Sequence, residues 1–420
     1  MKIAIATFAD LPSPPVKGGA VETLIDIICQ INEKKKKIDI DLFSIADKNA
    51  EIKAAEYHQT EFVYYQKYYS KKINVKSIAW KLFKKSIPDK TMSGITSLIN
   101  KEDYDFVIIT SINNEMEYIF RKIHSKVIWY LHGDPLSVLS TDAIERITNQ
   151  CYSVITVSDF VKSRVKSAAP GCRAVTVRNC TDLIPIPDKE VTVVKQKIRN
   201  KAEIGMKDKL FVYIGRIIPI KGVYELVRAF VSADMQNAKL LIVGAPSNRG
   251  EEIYLEKIKE IANSNVKYWG YADHDKLNEL YCAADCVVAP SICQEAAPLI
   301  ALEASVCRRR LIATNIGGIP EYIDKNGLLV NYDEKFVENL AKELISVNAV
   351  DDCEICSEIV SNQMESYYDD FYNALQIFDE GKGKLGLRQA QGQGKQKIDG
   401  QTGQGASAQR EQFSGLSGGK

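Results

Sequence analysis

The chain lacks any run approaching the roughly 18 consecutive apolar residues that a membrane-crossing helix needs, which argues against a spanning segment of that kind. No GxGxxG follows a strand-like run, and this weighs against a dinucleotide-dependent dehydrogenase. Histidine is scarce, with four in 420 residues, and Cys353 and Cys356 form a CxxC without a second pair or a nearby histidine. That spacing is better read as chance than as a zinc site. The ten cysteines are scattered through apolar segments, as at Cys29, Cys151 and Cys307, a usage that suits a reducing cytoplasm. Charge of one sign is also missing. A formal net charge of +1 gives the chain as a whole no electrostatic reason to seek nucleic acid. The apolar start, Lys2 to Ala9, is short and stopped by Asp10, so it reads as a buried strand and not as a signal peptide.

What is present fits a soluble globular α/β protein, with 45% hydrophobic and 26% charged residues. Its length exceeds the ~100 to 200 residues of an ordinary domain, so two domains are expected. Strand-like runs at Ile3 to Phe8, Ile38 to Ser44, Phe106 to Thr110, Val127 to Leu131 and Val154 to Val157 alternate with helical patterns, as βαβ units with a parallel sheet do. Pro185 to Asp188 and the basic segment Val194 to Glu203 read as a linker. A second alternation then begins at Leu210 to Ile214 and ends at Gly327 to Val330. The expected division is 1–185, 186–360, an aromatic helix at 361–380 that can pack on the first domain, and a Gly, Gln and Ser-rich tail at 381–420 expected to be disordered.

Two segments carry chemistry. Phe211 to Ile214 is followed by Gly215, Arg216, Lys221 and Gly222, a strand, a small-residue turn and two cations before a helix. A guanidinium fork and a mobile ammonium suit diphosphate oxygens, with Gly215 allowing close backbone approach; solvated loop cations are the plainer alternative. Downstream, Cys286 to Ala289 leads into a loop holding Glu295, then Pro298 at a helix start and Glu303 on the helix. Open α/β sheets bind ligands beyond the carboxyl ends of their strands, where Glu295 falls. The first N–H groups of the helix, at Leu299 and Ile300, attract phosphate. Glu303 can accept hydrogen bonds from ribose hydroxyls, or it can be a surface carboxylate.

These segments, with Gly317-Gly318-Ile319-Pro320-Glu321, resemble in order and spacing the family 4 retaining glycosyltransferases, and the likeness extends from Met1 to about Phe378. The resemblance implies the GT-B fold, two Rossmann-like domains facing across a cleft. It implies that Arg216 and Lys221 hold the donor diphosphate, that Glu303 holds the ribose and that Glu295 approaches the transferred sugar. It also implies a nucleotide-sugar donor, UDP-linked by family habit, a glycan or lipid-linked acceptor, front-face attack without an enzyme nucleophile, and no metal or other cofactor. The turn at Gly18 and Gly19, ahead of Glu22, is similar to the family's loop that meets donor phosphate and acceptor. His132, followed by Gly133-Asp134-Pro135, matches the family's cleft histidine near the sugar. Asp39-Ile40-Asp41 has the spelling of a metal-binding DxD but lies in a strand-like run, which gives it little weight.

Two features stand outside the pattern. Arg308, Arg309 and Arg310 replace the glycine and proline common in the family after Ala-Cys, and read as an anion site or as a mark of relaxed function. Lys67 to Lys90 is basic and aromatic, with Trp80, Leu82 and Phe83 beside Lys81, Lys84 and Lys85. It reads either as a solvated helix or as a face resting on anionic lipid at the inner side of a membrane. A noncatalytic coat or scaffold protein of the same fold, and a phosphorylase or epimerase, are the rival readings.

Overall fold

The computed structural model describes residues 1–8, 11–66, 90–324, 327–350 and 363–392, with residues 90 and 381–392 described by backbone alone. Two compact units are separable, Met1–Ala374 and Leu375–Lys420, and the first holds both sheets. Residues 67–89 of the basic segment, the Cys353/Cys356 pair and residues 393–420 lie outside the described residues.

The first sheet contains β1 (Lys2–Ala6), β2 (Asp39–Ile45), β3 (Thr60–Tyr65), β4 (Phe106–Ile109), β5 (Val127–Leu131), β6 (Ser153–Thr156) and β7 (Ala174–Thr176). Their order is β3-β2-β1-β4-β5-β6-β7, and every pairing is parallel. The second contains β8 (Lys209–Ile214), β9 (Ala238–Val243), β10 (Val266–Gly270), β11 (Cys286–Ala289), β12 (Arg310–Thr314) and β13 (Leu328–Val330). Its order is β10-β9-β8-β11-β12-β13, again all parallel. Both sheets reverse direction of growth once, between β1 and β4 and between β8 and β11. Such reversals leave a crevice at the strand ends because the flanking connections depart to opposite faces.

Parallel strands covered on both faces need apolar residues at consecutive positions. In β8, Phe211 and Tyr213 pack with Leu240, Ile242, Val288 and Phe230 on one face. Leu210 and Val212 pack with Leu241, Val243, Val287 and Tyr281 on the other. The DxD is structural: Asp41 is buried in β2, accepts a 2.6 Å hydrogen bond from the Tyr104 hydroxyl and lies 3.6 Å from Lys2 Nζ.

The segment read as a linker is largely a helix, Asp188–Lys201. Arg199 on it is 1% exposed and donates to the carbonyls of Ala283, Gly205 and Asp208, and at 2.6 Å to Asp285. Lys195 reaches the same carboxylate at 2.7 Å. The composition of that helix is surface-like, and most of its charges are exposed, but Arg199 is spent inside the second sheet's half. A final helix, Gln363–Gly392, begins against the first sheet. Its Tyr368 hydroxyl donates to Asn32 at 2.7 Å, and Asp369 pairs with Lys35 at 2.7 Å. The helical backbone continues to Gly392, into the segment whose composition predicts disorder.

Candidate active site

At the second reversal, the turn after β8 and the loop after β11 are joined. Gly222 has a φ of 68°, and a Cβ there would lie 1.9 Å from the Pro290 carbonyl oxygen. Only glycine permits both the turn and the approach. The Ile292 N–H donates to Ile220 O at 3.0 Å and ties the two loops. Lys221 Nζ thereby meets Glu295 Oε1 at 2.5 Å, and buried Ser291 donates its hydroxyl to the same oxygen at 2.6 Å. The Tyr213 hydroxyl holds the Arg216 carbonyl at 2.7 Å, and the Arg216 side chain stays exposed. The Gly317-Gly318 turn closes on this loop from the far side, with the Gly318 N–H donating to Glu295 O at 2.7 Å.

Pro298 precedes the helix Leu299–Val306 and gives its start no side-chain cap, so the first-turn N–H groups at Leu299 and Ile300 have no partner within the helix. Glu303 on that helix is not a surface residue. It is 8% exposed, its Oε2 accepts from the Tyr281 hydroxyl at 2.5 Å, and burial raises its pKa. Nearby, His274 Nε2 meets Asp182 Oδ1 at 2.8 Å, and this hydrogen bond raises the histidine's pKa.

At the first reversal, the loop after β1 is anchored by Ser13 N–H on Ser44 Oγ at 2.8 Å and by the Tyr64 hydroxyl on Ser13 O at 3.1 Å. Gly18 and Gly19 end it with positive φ, 73° and 114°. A Cβ on Gly19 would lie 2.2 Å from Glu22 Oε2, a carboxylate folded back over the turn, 4% exposed and pushed up in pKa by burial. His132 follows β5. Part of its surface is exposed, but both ring nitrogens are shut away from solvent and meet no partner, and burial pushes its pKa down to about 3. Burial thus favours the neutral imidazole.

The segments Val157 to Phe160 and Arg178 to Asp182 meet the Gly-Gly-Ile-Pro-Glu motif of the other half. The Glu321 carboxylate accepts from the N–H of Asp159 at 2.8 Å and of Phe160 at 2.6 Å, at the start of the helix Asp159–Ala168. An anion suits that helix end. Arg178 bridges Glu321 and Asp159 at 3.3 and 2.8 Å, and the Tyr322 hydroxyl accepts from Asn179 N–H and donates to Val157 O. Thus Arg216, Lys221, Glu295, Pro298, Leu299, Ile300 and Glu303 surround one reversal, whereas Gly18, Gly19 and His132 belong to the other sheet. Sequence reasoning misses Ser291, a small polar residue in a loop with nothing local to assign it a task, and Tyr281, which reads as packing in a helical run.

Of the three arginines, Arg308 and Arg309 bond to the protein itself. Arg308 takes a φ of 55° at the helix end, the conformation a glycine would adopt there. Arg309 donates to the carbonyls of Cys307 and Ala284, and Arg308 pairs with Asp188 at 3.3 Å. All this lies at the amino end of β12, opposite the site. Among the described residues no cluster of three or more His, Cys, Asp or Glu is placed to hold a metal, and no helix is long and apolar enough to cross a membrane.

Residues 208–348 match the family model described as Glycosyl transferases group 1. Over these residues the chain is similar to that family. The chain is 25% identical over 355 residues to Spore coat protein SA of Bacillus subtilis, covering 79% of this chain and 86% of that one. It is 26% identical over 235 residues to a lipopolysaccharide 1,2-N-acetylglucosaminetransferase of Salmonella typhimurium, covering 53% and 58%. In structure it is similar to Anabaena HepE, solved in complex with UDP and glucose, with a TM-score of 0.65 at 18% identity, covering 90% of this chain and 99% of that one. The two parallel-sheet halves have the GT-B fold of the glycosyltransferases.

Proposed function

We propose that the chain is a retaining glycosyltransferase that moves a hexosyl or N-acetylhexosaminyl group from a UDP-linked donor to a glycan or lipid-linked acceptor of a surface polysaccharide or glycolipid. The observation that carries this reading is the triad of Lys221, Glu295 and Ser291 at the β8/β11 reversal, inside the segment matching the group 1 family. In this reading Lys221 and Arg216 neutralise the charge that develops on the departing diphosphate, and the N–H groups of Leu299 and Ile300 add to that field. Gly215 lets the diphosphate approach the backbone, and Pro298 sets the helix start against it. Glu303, held by Tyr281, accepts from the ribose hydroxyls. Glu295 and the neutral His132 meet the sugar, and the turn at Gly18 and Gly19 faces donor phosphate and acceptor.

The acceptor hydroxyl attacks from the face the diphosphate leaves, and a diphosphate oxygen takes its proton, so no protein nucleophile is assigned. The pathway needs no metal. The HepE complex with UDP and glucose supports the choice of UDP, and the name of the Salmonella relative supports the N-acetylhexosaminyl option. A coat or scaffold role would leave these side chains without a reason to converge. A thermal-shift screen with UDP-, GDP- and TDP-sugars selects the donor, since a ligand bound only by the folded state raises the midpoint. Purified chain should then hydrolyse that donor, and Lys221→Ala should lower the rate by about 10²-fold or more. Undiminished hydrolysis in Lys221→Ala would refute the assignment.

A further inference from the structure

The reading above uses His132 but leaves unexplained the aromatic stack beneath it. Tyr130 lies in β5 and His132 just beyond its end, and their side chains meet. Their rings are 4.1 Å apart between centroids and inclined by 38°. Tyr130 is fully buried, and its hydroxyl meets the Tyr367 hydroxyl at 3.0 Å. Phe371, four residues on and therefore on the same face of the final helix, stacks on Tyr130 at 6.1 Å. Two phenylalanines would fill this volume equally well. The two buried hydroxyls add one directional contact between helix and strand, and such a contact fixes a relative position that packing alone leaves loose.

The neighbouring carboxylate, Asp134, is occupied by the Leu136 N–H at 3.0 Å and by Arg164 at 3.1 Å. The cause that lowers the imidazole pKa is burial. One wall of the imidazole's surroundings is the Tyr130 ring.

We propose that Tyr130 is the positioning residue of His132, and that Tyr367 and Phe371 hold Tyr130 in place, so that the final helix fixes the plane of the imidazole that meets the donor sugar. The proposal rests on the reading of His132 as a sugar contact. It assigns the final helix a task in the reaction beyond packing.

The test uses the full chain labelled with ¹³C in its histidine rings, the His132 signal being identified by its loss in His132→Gln. In the wild type that signal should not titrate between about pH 5.5 and 8. In Tyr130→Leu it should titrate near the ordinary value of about 6.5 as water reaches the ring. Tyr367→Phe, which leaves one buried hydroxyl unmatched, should broaden or split the signal and lower kcat for UDP-glucose hydrolysis by about tenfold, with KM within about twofold. The double variant Tyr130→Phe/Tyr367→Phe should recover most of the loss, because removing both hydroxyls leaves none unpaired. Tyr104→Phe, which removes a buried hydroxyl from the Asp41 contact, should leave kcat unchanged. An unaltered His132 signal in both single variants, or a kcat loss in Tyr104→Phe equal to that in Tyr367→Phe, would overturn the proposal. If Tyr130→Leu fails to fold, Tyr367→Phe and the double variant decide it. Undiminished hydrolysis in His132→Gln would overturn the sugar-contact reading itself, a result separable from the spectra.

Discussion

The two sheets treat polar groups at their reversals in opposite ways. In the second half polar groups are matched to one another: Lys221 with Glu295 and Tyr281 with Glu303 at the reversal, and Arg199 and Lys195 with Asp285 at the amino ends of the strands. In the first half both ring nitrogens of His132 are buried without a hydrogen-bond partner, and burial lowers the imidazole pKa. A ligand contacting Lys221 must exchange partners with an existing ion pair, whereas one that bonds to the His132 ring nitrogens must first reach atoms closed to solvent.

The sharpest way to break this comparison is to unmatch the second half. Arg199→Met should lower unfolding stability by about 3 kcal/mol or more in urea titrations, because it leaves the Asp285 carboxylate buried with one partner fewer. A smaller loss would mean that the matching is incidental. Next in size, Glu295→Gln should slow donor hydrolysis by about 10²-fold while tightening calorimetric binding of UDP alone, since Lys221 no longer has a rival anion. Weaker UDP binding would refute the idea of partner exchange. Arg308→Gly should stabilise the chain by about 1 kcal/mol and leave hydrolysis unchanged, because glycine adopts the left-handed conformation without steric cost. The exposed Arg308–Asp188 pair offsets little of this.

The smallest effect is a dependence on pH. The pKa of Glu303 is raised by burial, so its charged form costs stability above that pKa, and the cost is relieved as pH falls toward the unfolded value. Glu303→Gln should therefore raise the melting midpoint at pH 7, with a margin that shrinks on acidification. A margin that grew at low pH would contradict the cause assigned.

Much of this architecture is legible as runs of apolar residues. All six strands of the second sheet are expected from sequence, and the central ones, β8, β9, β11 and β12, leave the continuous signal of burial on both faces. The first sheet hides β3, an edge strand with tyrosines and mixed exposure, and β7, three half-buried residues. The groups around Lys221 and Glu295 are legible because glycine, cation and carboxylate fall next to strand ends. Pairings between distant segments are not legible. Nothing local marks Tyr281 as the partner of Glu303, or Arg199 as an interior residue in a helix of surface composition. The arginine triplet looks like a departure with consequences for activity, and its explanation is one backbone angle at a helix end.

The contact of Glu321 with the N–H groups of Asp159 and Phe160 spans 162 and 161 residues of chain. During synthesis at roughly 5 to 20 residues per second, the start of that helix emerges on the order of ten to thirty seconds before its carboxylate partner exists. Until then Ser158 is its side-chain cap, accepting the Val161 N–H at 3.2 Å. The nascent first half is thus born with an open anion socket, and the arrival of the second half on the ribosome is what plugs it.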